Sequence, residues 1–317
     1  MNGVTAAESP ASVPPAAVPP LATRQITRCA ICDGADLRPL GMAYEYRGRF
    51  PALECRRCHL RFLSVQPSGE SLSGLYSESY FERDFRCGRA ASSSFNEDAF
   101  REENRGLLDE FGRWTAPGRL LEIGCAGGWL LKHAQERGWQ VQGVELSRVA
   151  AEHARSLWLD VHHGDLMSAH LPAASFNLIY MGDVLEHVPD CRALIQECAR
   201  VVMPGGLLYL RGPVTTNSLA RSLALATCRM SGRTIVLHEP PYHLWEFTPR
   251  TLARLFAASG FEVVYSKQSK IPPGHAHGEK SAVERAAMAA LDAVNVPLTR
   301  MFNARGDRIV MVGRMHR

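Results

Sequence analysis

Beyond residue 116 the chain alternates between short apolar runs and stretches whose apolar residues recur every three or four positions. Leu120 to Ile123, Val141 to Val144, Phe176 to Met181, Leu207 to Leu210, Phe261 to Tyr265 and Arg308 to Val312 have the length and composition of strands. Between them, Ser147 to Leu157, Cys191 to Val202 and Thr248 to Ser259 carry helical spacing, the last closed by Gly260. Such alternation predicts an α/β fold. Upstream, Ser94 and Glu97 form a capping box, and the helix it opens runs to about Trp114 with Phe100, Leu107, Leu108 and Phe111 on one face.

The first third of the chain lacks this rhythm. Residues 1–27 are rich in alanine and proline and predict a disordered tail. Residues 28–64 hold few large apolar side chains and read as a small module, and 65–115 as a helical connector with the aromatic run Leu75 to Phe81. The remainder, 116–317, is the α/β domain, within which 212–247 is too long for a simple connection and is expected to cover a substrate.

The first α/β strand runs into Gly124-Cys125-Ala126-Gly127-Gly128, and Glu145 closes the second. A glycine turn at a strand-to-helix junction, with an acid about 20 residues on, is how an α/β domain holds a nucleoside; the acid accepts hydrogen bonds from ribose hydroxyls. A dinucleotide site wants G-x-G-x-x-G, so that a pyrophosphate can approach the helix N-terminus. Gly124-x-x-Gly127-Gly128 does not fit that spacing. It resembles instead motif I of the class I S-adenosylmethionine-dependent methyltransferases, whose loop passes under an amino-acid tail and cradles no phosphate.

That resemblance continues in order along 116–317. Glu145-Leu146 matches the ribose-binding acid, Asp165-Leu166 the acid near the adenine amino group, and Phe176 to Met181 the fourth strand. Asp183 to Val188 matches the segment after it, and Met203 to Leu208 the turn into the fifth strand. Ala126 replaces the usual central glycine, and Asn177 stands where aspartate is common. The resemblance implies a Rossmann-like, seven-stranded sheet whose last strand is antiparallel. It also implies S-adenosylmethionine as cofactor, held by Glu122, Gly124, Cys125, Ala126, Gly127, Gly128, Glu145, Leu146, Asp165, Leu166 and Asp183.

Nine cysteines include two C-x-x-C pairs, Cys29/Cys32 and Cys55/Cys58, separated by 22 residues. That spacing is close to a zinc ribbon, in which two knuckles bring four thiolates onto one tetrahedral Zn²⁺. A closed site of this kind is structural, and the metal supplies folding free energy that a small core cannot. His59 beside Cys58 is a spectator in this reading; a redox dithiol is the alternative.

Composition narrows the setting without naming a partner. With 46% hydrophobic and 21% charged residues and a formal charge of +4, the chain has the makeup of a globular protein and no demand for nucleic acid. The opening segment lacks a basic region followed by an apolar core, and no apolar run is long enough to span a bilayer, so a cytoplasmic location without membrane insertion is expected. Oligomeric state is not encoded in these features.

Methyl transfer needs an in-line approach, exclusion of water and removal of one proton from the acceptor. Histidine suits the last task, and His187 and His243 are the candidates. His187 follows the fourth strand, where ligands of open α/β sheets gather. His243 lies in Tyr242 to Thr248, a run similar to the H-L-x-x-F-T segment beside the acceptor pocket in a group of bacterial small-molecule methyltransferases. In that group an aromatic connector joins a zinc ribbon to the methyltransferase fold, which implies that Tyr76, Tyr80 and Phe81 close over the cofactor. For both histidines, simple packing is the competing reading.

Asp183, Glu186 and His187 also admit a divalent cation, being similar to the acid-rich segment of quinone O-methyltransferases. Glu239-Pro240-Pro241-Tyr242 resembles the motif of amino-methylating nucleic-acid enzymes, although that motif belongs directly after strand four. The expected function is therefore transfer of a methyl group to a small-molecule or glycan-precursor acceptor, at a hydroxyl or at a sugar carbon. An RNA methyltransferase gripping RNA with its ribbon, and a non-catalytic cofactor-binding protein, are the alternatives.

Overall fold

The computed structural model describes residues 19–75, 97–270 and 282–316. Tyr76, Tyr80 and Phe81 of the expected lid, Cys87, and Ser94 of the expected capping box lie outside the described residues. The N-terminal module contains β1 (Thr23–Gln25), β2 (Leu37–Glu45), β3 (Arg49–Cys55), β4 (Arg61–Leu63), β5 (Val65–Pro67) and α1 (Gly69–Leu75). Strands β2, β3 and β4 form an antiparallel meander. Within the stretch 1–27 expected to be disordered, Thr23–Gln25 instead forms a strand that pairs antiparallel with β5, and residues 1–18 lie outside the described residues. A partner strand 42 residues away satisfies this backbone, with Arg24 donating to Gln66 at 2.7 Å, and composition alone does not reveal such a partner.

The chain continues through α2 (Glu97–Gly112), β6 (Arg119–Ile123), α3 (Trp129–Glu136), β7 (Gln140–Glu145), α4 (Arg148–Ser156), β8 (Val161–His163), β9 (Phe176–Gly182), α5 (Cys191–Val201) and β10 (Val202–Pro213). It closes with α6 (Leu219–Ser231), β11 (Ile235–Leu237), β12 (Trp245–Glu246), α7 (Pro249–Ala258), β13 (Phe261–Ser269), α8 (Ala282–Phe302) and β14 (Arg308–Met315). A seven-stranded sheet runs in the order β13-β14-β10-β9-β6-β7-β8. Strand β14 is antiparallel to both neighbours, and β6 to β10 pair in parallel. The order reverses between β6 and β9, which fixes the place where ligands of such sheets gather.

Successive residues of each strand feed opposite faces. Leu178, Tyr180, Leu207 and Tyr209 pack with Leu107, Leu108 and Phe111 of α2 and with α3. Ile179, Met181, Leu208 and Leu210 face the other way, into one core shared with α5, α7 and the N-terminal module, including Phe50, Phe62 and Trp245. Asn177, at the start of β9, takes the Arg119 amide at 2.7 Å, so the substituted position clasps β6 to β9. Helices start where local chemistry allows: Ser147, Asp190 and Thr248 each cap the following helix through their side chains.

The segment 212–247 is stitched into the N-terminal sheet. Strand β11 pairs with β2 and β12 with β4, giving the order β11-β2-β3-β4-β12. The small module is thus completed by strands from the far half of the chain. Arg254 of α7 adds a hydrogen bond to the Cys58 carbonyl at 2.8 Å, and Arg229 of α6 an ion pair to buried Glu54 at 3.1 Å.

Candidate active site and cysteine cluster

The glycine turn is shaped by close packing. Gly124 and Gly128 adopt left-handed backbone (φ 73° and 82°), and a Cβ on either would stand 2.6 Å from Val184 or Leu159. Ala126 is also left-handed at φ 46°, at a cost of about 1 kcal/mol, and its amide donates to Glu145 Oε2 at 2.8 Å. The Ser147 amide donates to the other oxygen at 2.7 Å, so Glu145 is fixed from both sides while 5% exposed. Burial nevertheless pushes its carboxyl up, against the pull of those amides.

Glu122 is buried on β6, and its Oε2 has no hydrogen-bond partner among the described residues. Burial, and then the charge of Glu145, hold its carboxyl well above the usual range. Two buried carboxylates beside a glycine turn, one with an orphaned acceptor, fit a ligand that brings hydroxyl donors and positive charge. His153 hydrogen-bonds the Gly127 carbonyl at 3.0 Å, Cys125 is buried, and Leu146 next to Glu145 stays 49% exposed. Asp165 follows β8 and accepts the Ser168 amide at 2.7 Å, while Leu166 is buried in the core. Asp183, left-handed at φ 55°, is paired with Arg308 at 2.8 Å.

The second cluster lies at the same edge of the sheet, after β9, and touches the first through Val184 against Gly124. His187 and His243, 56 positions apart, meet with ring centroids 5.0 Å apart. The Leu244 amide donates to the Glu186 carbonyl at 2.8 Å, which pins the distant segment here. His187 Nδ1 lies 2.9 Å from the Tyr242 carbonyl, and its Nε2 lies 3.5 Å from Glu186 Oε1. Because a carbonyl only accepts, Nδ1 carries the proton in this bond and Nε2 of a neutral ring keeps its lone pair. Of the Glu239-to-Tyr242 motif, the Tyr242 carbonyl therefore reaches the segment after the fourth strand.

Glu246 stands beside His243, its Oε1 3.9 Å from Nδ1, and accepts from Thr215 at 2.9 Å. Tyr44 of β2 reaches the same carboxylate at 3.5 Å. Burial alone lowers the His243 pKa, but the adjacent carboxylate of Glu246, with Glu186 and Asp183 behind, raises it to about 9. Burial, and then Asp183, push Glu186 up to about 7. Ligand atoms of Glu186, His187 and His243 lie within 4.8 Å of one another; Asp183, in the sequence-based cation set, is not among them. Glu246 and Tyr44 were absent from the sequence reading. The i,i+3 spacing of His243 and Glu246 was the available signal for the first, and nothing local pointed to the second.

Cys29, Cys32, Cys55 and Cys58 converge with all four sulfurs within 4.8 Å. Cys29 and Cys58 are 3.2 Å apart and Cys32 and Cys55 3.6 Å. Tetrahedral Zn²⁺ with Zn–S of about 2.3 Å sets sulfurs roughly 3.8 Å apart, so the donor set and its size fit the metal. His59 turns to Glu54 at 3.3 Å.

Comparison with known proteins places this geometry among relatives. The profile of a family described as a methyltransferase domain matches residues 95–266. A ubiquinone biosynthesis O-methyltransferase of Rhizobium etli is 30% identical over 154 residues, covering 46% of this chain and 60% of that protein. A probable S-adenosylmethionine-dependent methyltransferase of Mycolicibacterium smegmatis is 30% identical over 146 residues, covering 45% of this chain and 52% of that protein. The chain thus spans little more than half the length of these curated relatives. Among solved structures, the cyclase SpnF aligns with a TM-score of 0.51 at 19% identity, over 79% of this chain and 97% of its own, a likeness of fold alone.

Proposed function

This chain belongs to the methyltransferase-domain family, and on that premise we propose that it methylates a hydroxyl of a small-molecule or glycan-precursor acceptor, using S-adenosylmethionine. The observation that carries the reading is the joining of two clusters at one sheet edge, the Glu122/Glu145 turn and the His187/His243/Glu186/Glu246 group, through the Gly124–Val184 contact. When bound, S-adenosylmethionine supplies an electrophilic methyl carbon and its own leaving group. Glu145 and Asp165 would hold its ribose and base side, exposed Leu146 would cover the base, and Glu122 would face positive charge.

His187, oriented through Nδ1 by the Tyr242 carbonyl, takes the acceptor's proton on Nε2. His243 remains protonated below about pH 9 and sets positive charge beside the developing oxyanion, held there by Glu246. Cys29, Cys32, Cys55 and Cys58 would hold Zn²⁺ in a structural role, keeping β2 and Tyr44 in place. The name of the Rhizobium relative supports an oxygen acceptor of small-molecule class. RNA is disfavoured because Arg38, Arg47 and Arg61 of the ribbon already donate hydrogen bonds to acceptors within the chain.

A divalent cation on Glu186, His187 and His243 is the second reading, favoured by their convergence. Transfer by the zinc-loaded protein that is unchanged on adding Mg²⁺ retains the histidine base. The primary test is transfer from methyl-labelled S-adenosylmethionine into cell extract with and without nuclease, separated into small molecules, lipid-linked glycans, RNA and protein. Nuclease-resistant label in the first two fractions is expected; nuclease-sensitive label overturns the reading in favour of RNA.

A further inference from the structure

Helix α6 buries Leu225, yet both α6 and the described part of α8 turn a stripe of apolar residues to solvent. On α6 the stripe Leu223, Ala226, Thr227 and Met230, at i, i+3, i+4 and i+7, faces solvent, with Leu223 50% and Met230 83% exposed. That spacing normally faces a core. On α8 the exposed stripe is Ala290, Ala293, Val294, Pro297 and Met301, ending on Phe302, with Met301 74% and Phe302 67% exposed. The same helix turns Asn295 and Thr299 inward at 1% and 3% exposure, and neither side-chain amide atom of Asn295 has a hydrogen-bond partner among the described residues.

In water the hydrophobic effect favours the opposite arrangement, so the outward face suits apolar surroundings. The two helices pack on each other, and Arg305 after α8 reaches Ser222 of α6 at 3.4 Å, so the stripes belong to one surface. Arg233, Arg300 and Arg305 are exposed at its margins. The one acid in 219–237 and 289–306 is Asp292, 3.3 Å from Lys270. Two copies meeting across a twofold axis would oppose arginine to arginine, whereas an anionic bilayer satisfies both the apolar stripe and its basic margin.

We propose that the α6/α8 face docks this protein on the surface of an anionic lipid bilayer. Surface binding is the geometry available, since no described helix is long and apolar enough to cross a membrane. The face adjoins the acceptor edge: Thr215, which holds Glu246, lies four residues before α6. An amphiphilic acceptor reaches the histidines from the bilayer side in this arrangement.

The test is sedimentation of the full chain with vesicles of phosphatidylcholine alone or mixed with phosphatidylglycerol, neither containing an acceptor, so the result stands separately from methyl transfer. Binding to the mixed vesicles, weakened by salt, is expected. Combined Leu223→Ser, Met230→Ser, Met301→Ser and Phe302→Ser should weaken it roughly tenfold or more, with melting temperature and cofactor affinity unchanged. Combined Arg233→Ala, Arg300→Ala and Arg305→Ala should remove the preference for phosphatidylglycerol. Failure to bind either vesicle overturns the proposal, as does a dimer by light scattering that the four serine substitutions disperse.

Discussion

The two halves of the candidate site are built in opposite ways. At the cofactor edge, Glu145 is held by the amides of Ala126 and Ser147, and one loop with two strand ends supplies nearly everything. At the acceptor edge, His187, His243, Glu246, Thr215 and Tyr44 come from segments far apart in the chain, two of them tied into the cysteine module's sheet. A local site depends on a local motif. An assembled site depends on every element that brings its parts together, so damage far from the chemistry should separate the two functions.

Disrupting the cysteine cluster, which fits Zn²⁺, should separate them most. Zinc ribbons draw on the order of 10 kcal/mol of folding free energy from their ion. Stripping the cysteine cluster, or Cys55→Ser, is therefore expected to abolish transfer while S-adenosylmethionine affinity changes by only a few-fold. Metal analysis with parallel calorimetry checks this; equal loss of both functions would erase the contrast.

His187→Ala should come next, lowering kcat by roughly 10²- to 10⁴-fold with cofactor affinity intact, as general-base removal does. A fall of only a few-fold in single-turnover assays would return His187 to a packing role. At the other edge, Glu145→Ala should weaken cofactor binding roughly ten- to hundredfold, about 1.5 to 3 kcal/mol for two hydrogen bonds. Unchanged affinity by calorimetry would sink the ribose assignment.

The smallest effect is on pH. Glu186 is raised to about 7 and His243 to about 9, so kcat/KM should rise through the first value, as Glu186 loses its proton and its charge favours proton uptake by His187, and fall through the second. Because Glu246 is what raises His243, Glu246→Gln should move the upper limb down toward the ordinary histidine range. The stabilisation that His243 gains from its proton is complete below pH about 6.5 and lost as pH passes 9. An upper limb that stays in place in the glutamine variant would assign it to another group.

How much of this was legible in the sequence follows the same division. The strand runs and the caps at Ser147 and Thr248 were readable, because strand pleat, helix period and capping are short-range properties. Helices α6 and α8 carry helical spacing as well, but that spacing does not say which of their sides faces the core. Strand β1, inside the stretch whose composition predicts disorder, owes its existence to β5, a partner 42 positions away. The segment 212–247, read as a cover, is also the edge of another sheet.

Local sequence was enough for the alternation of strands and helices, the glycine turn with its two acids, and four cysteines at ribbon spacing, since each is a matter of neighbours within a few dozen residues. Only the tertiary structure decided that Tyr44, Glu246, His187 and His243 share one site and that two helices turn their apolar faces outward. These relations join residues up to about 200 positions apart, and shared burial and backbone pairing, which fix them, leave no local trace in the chain.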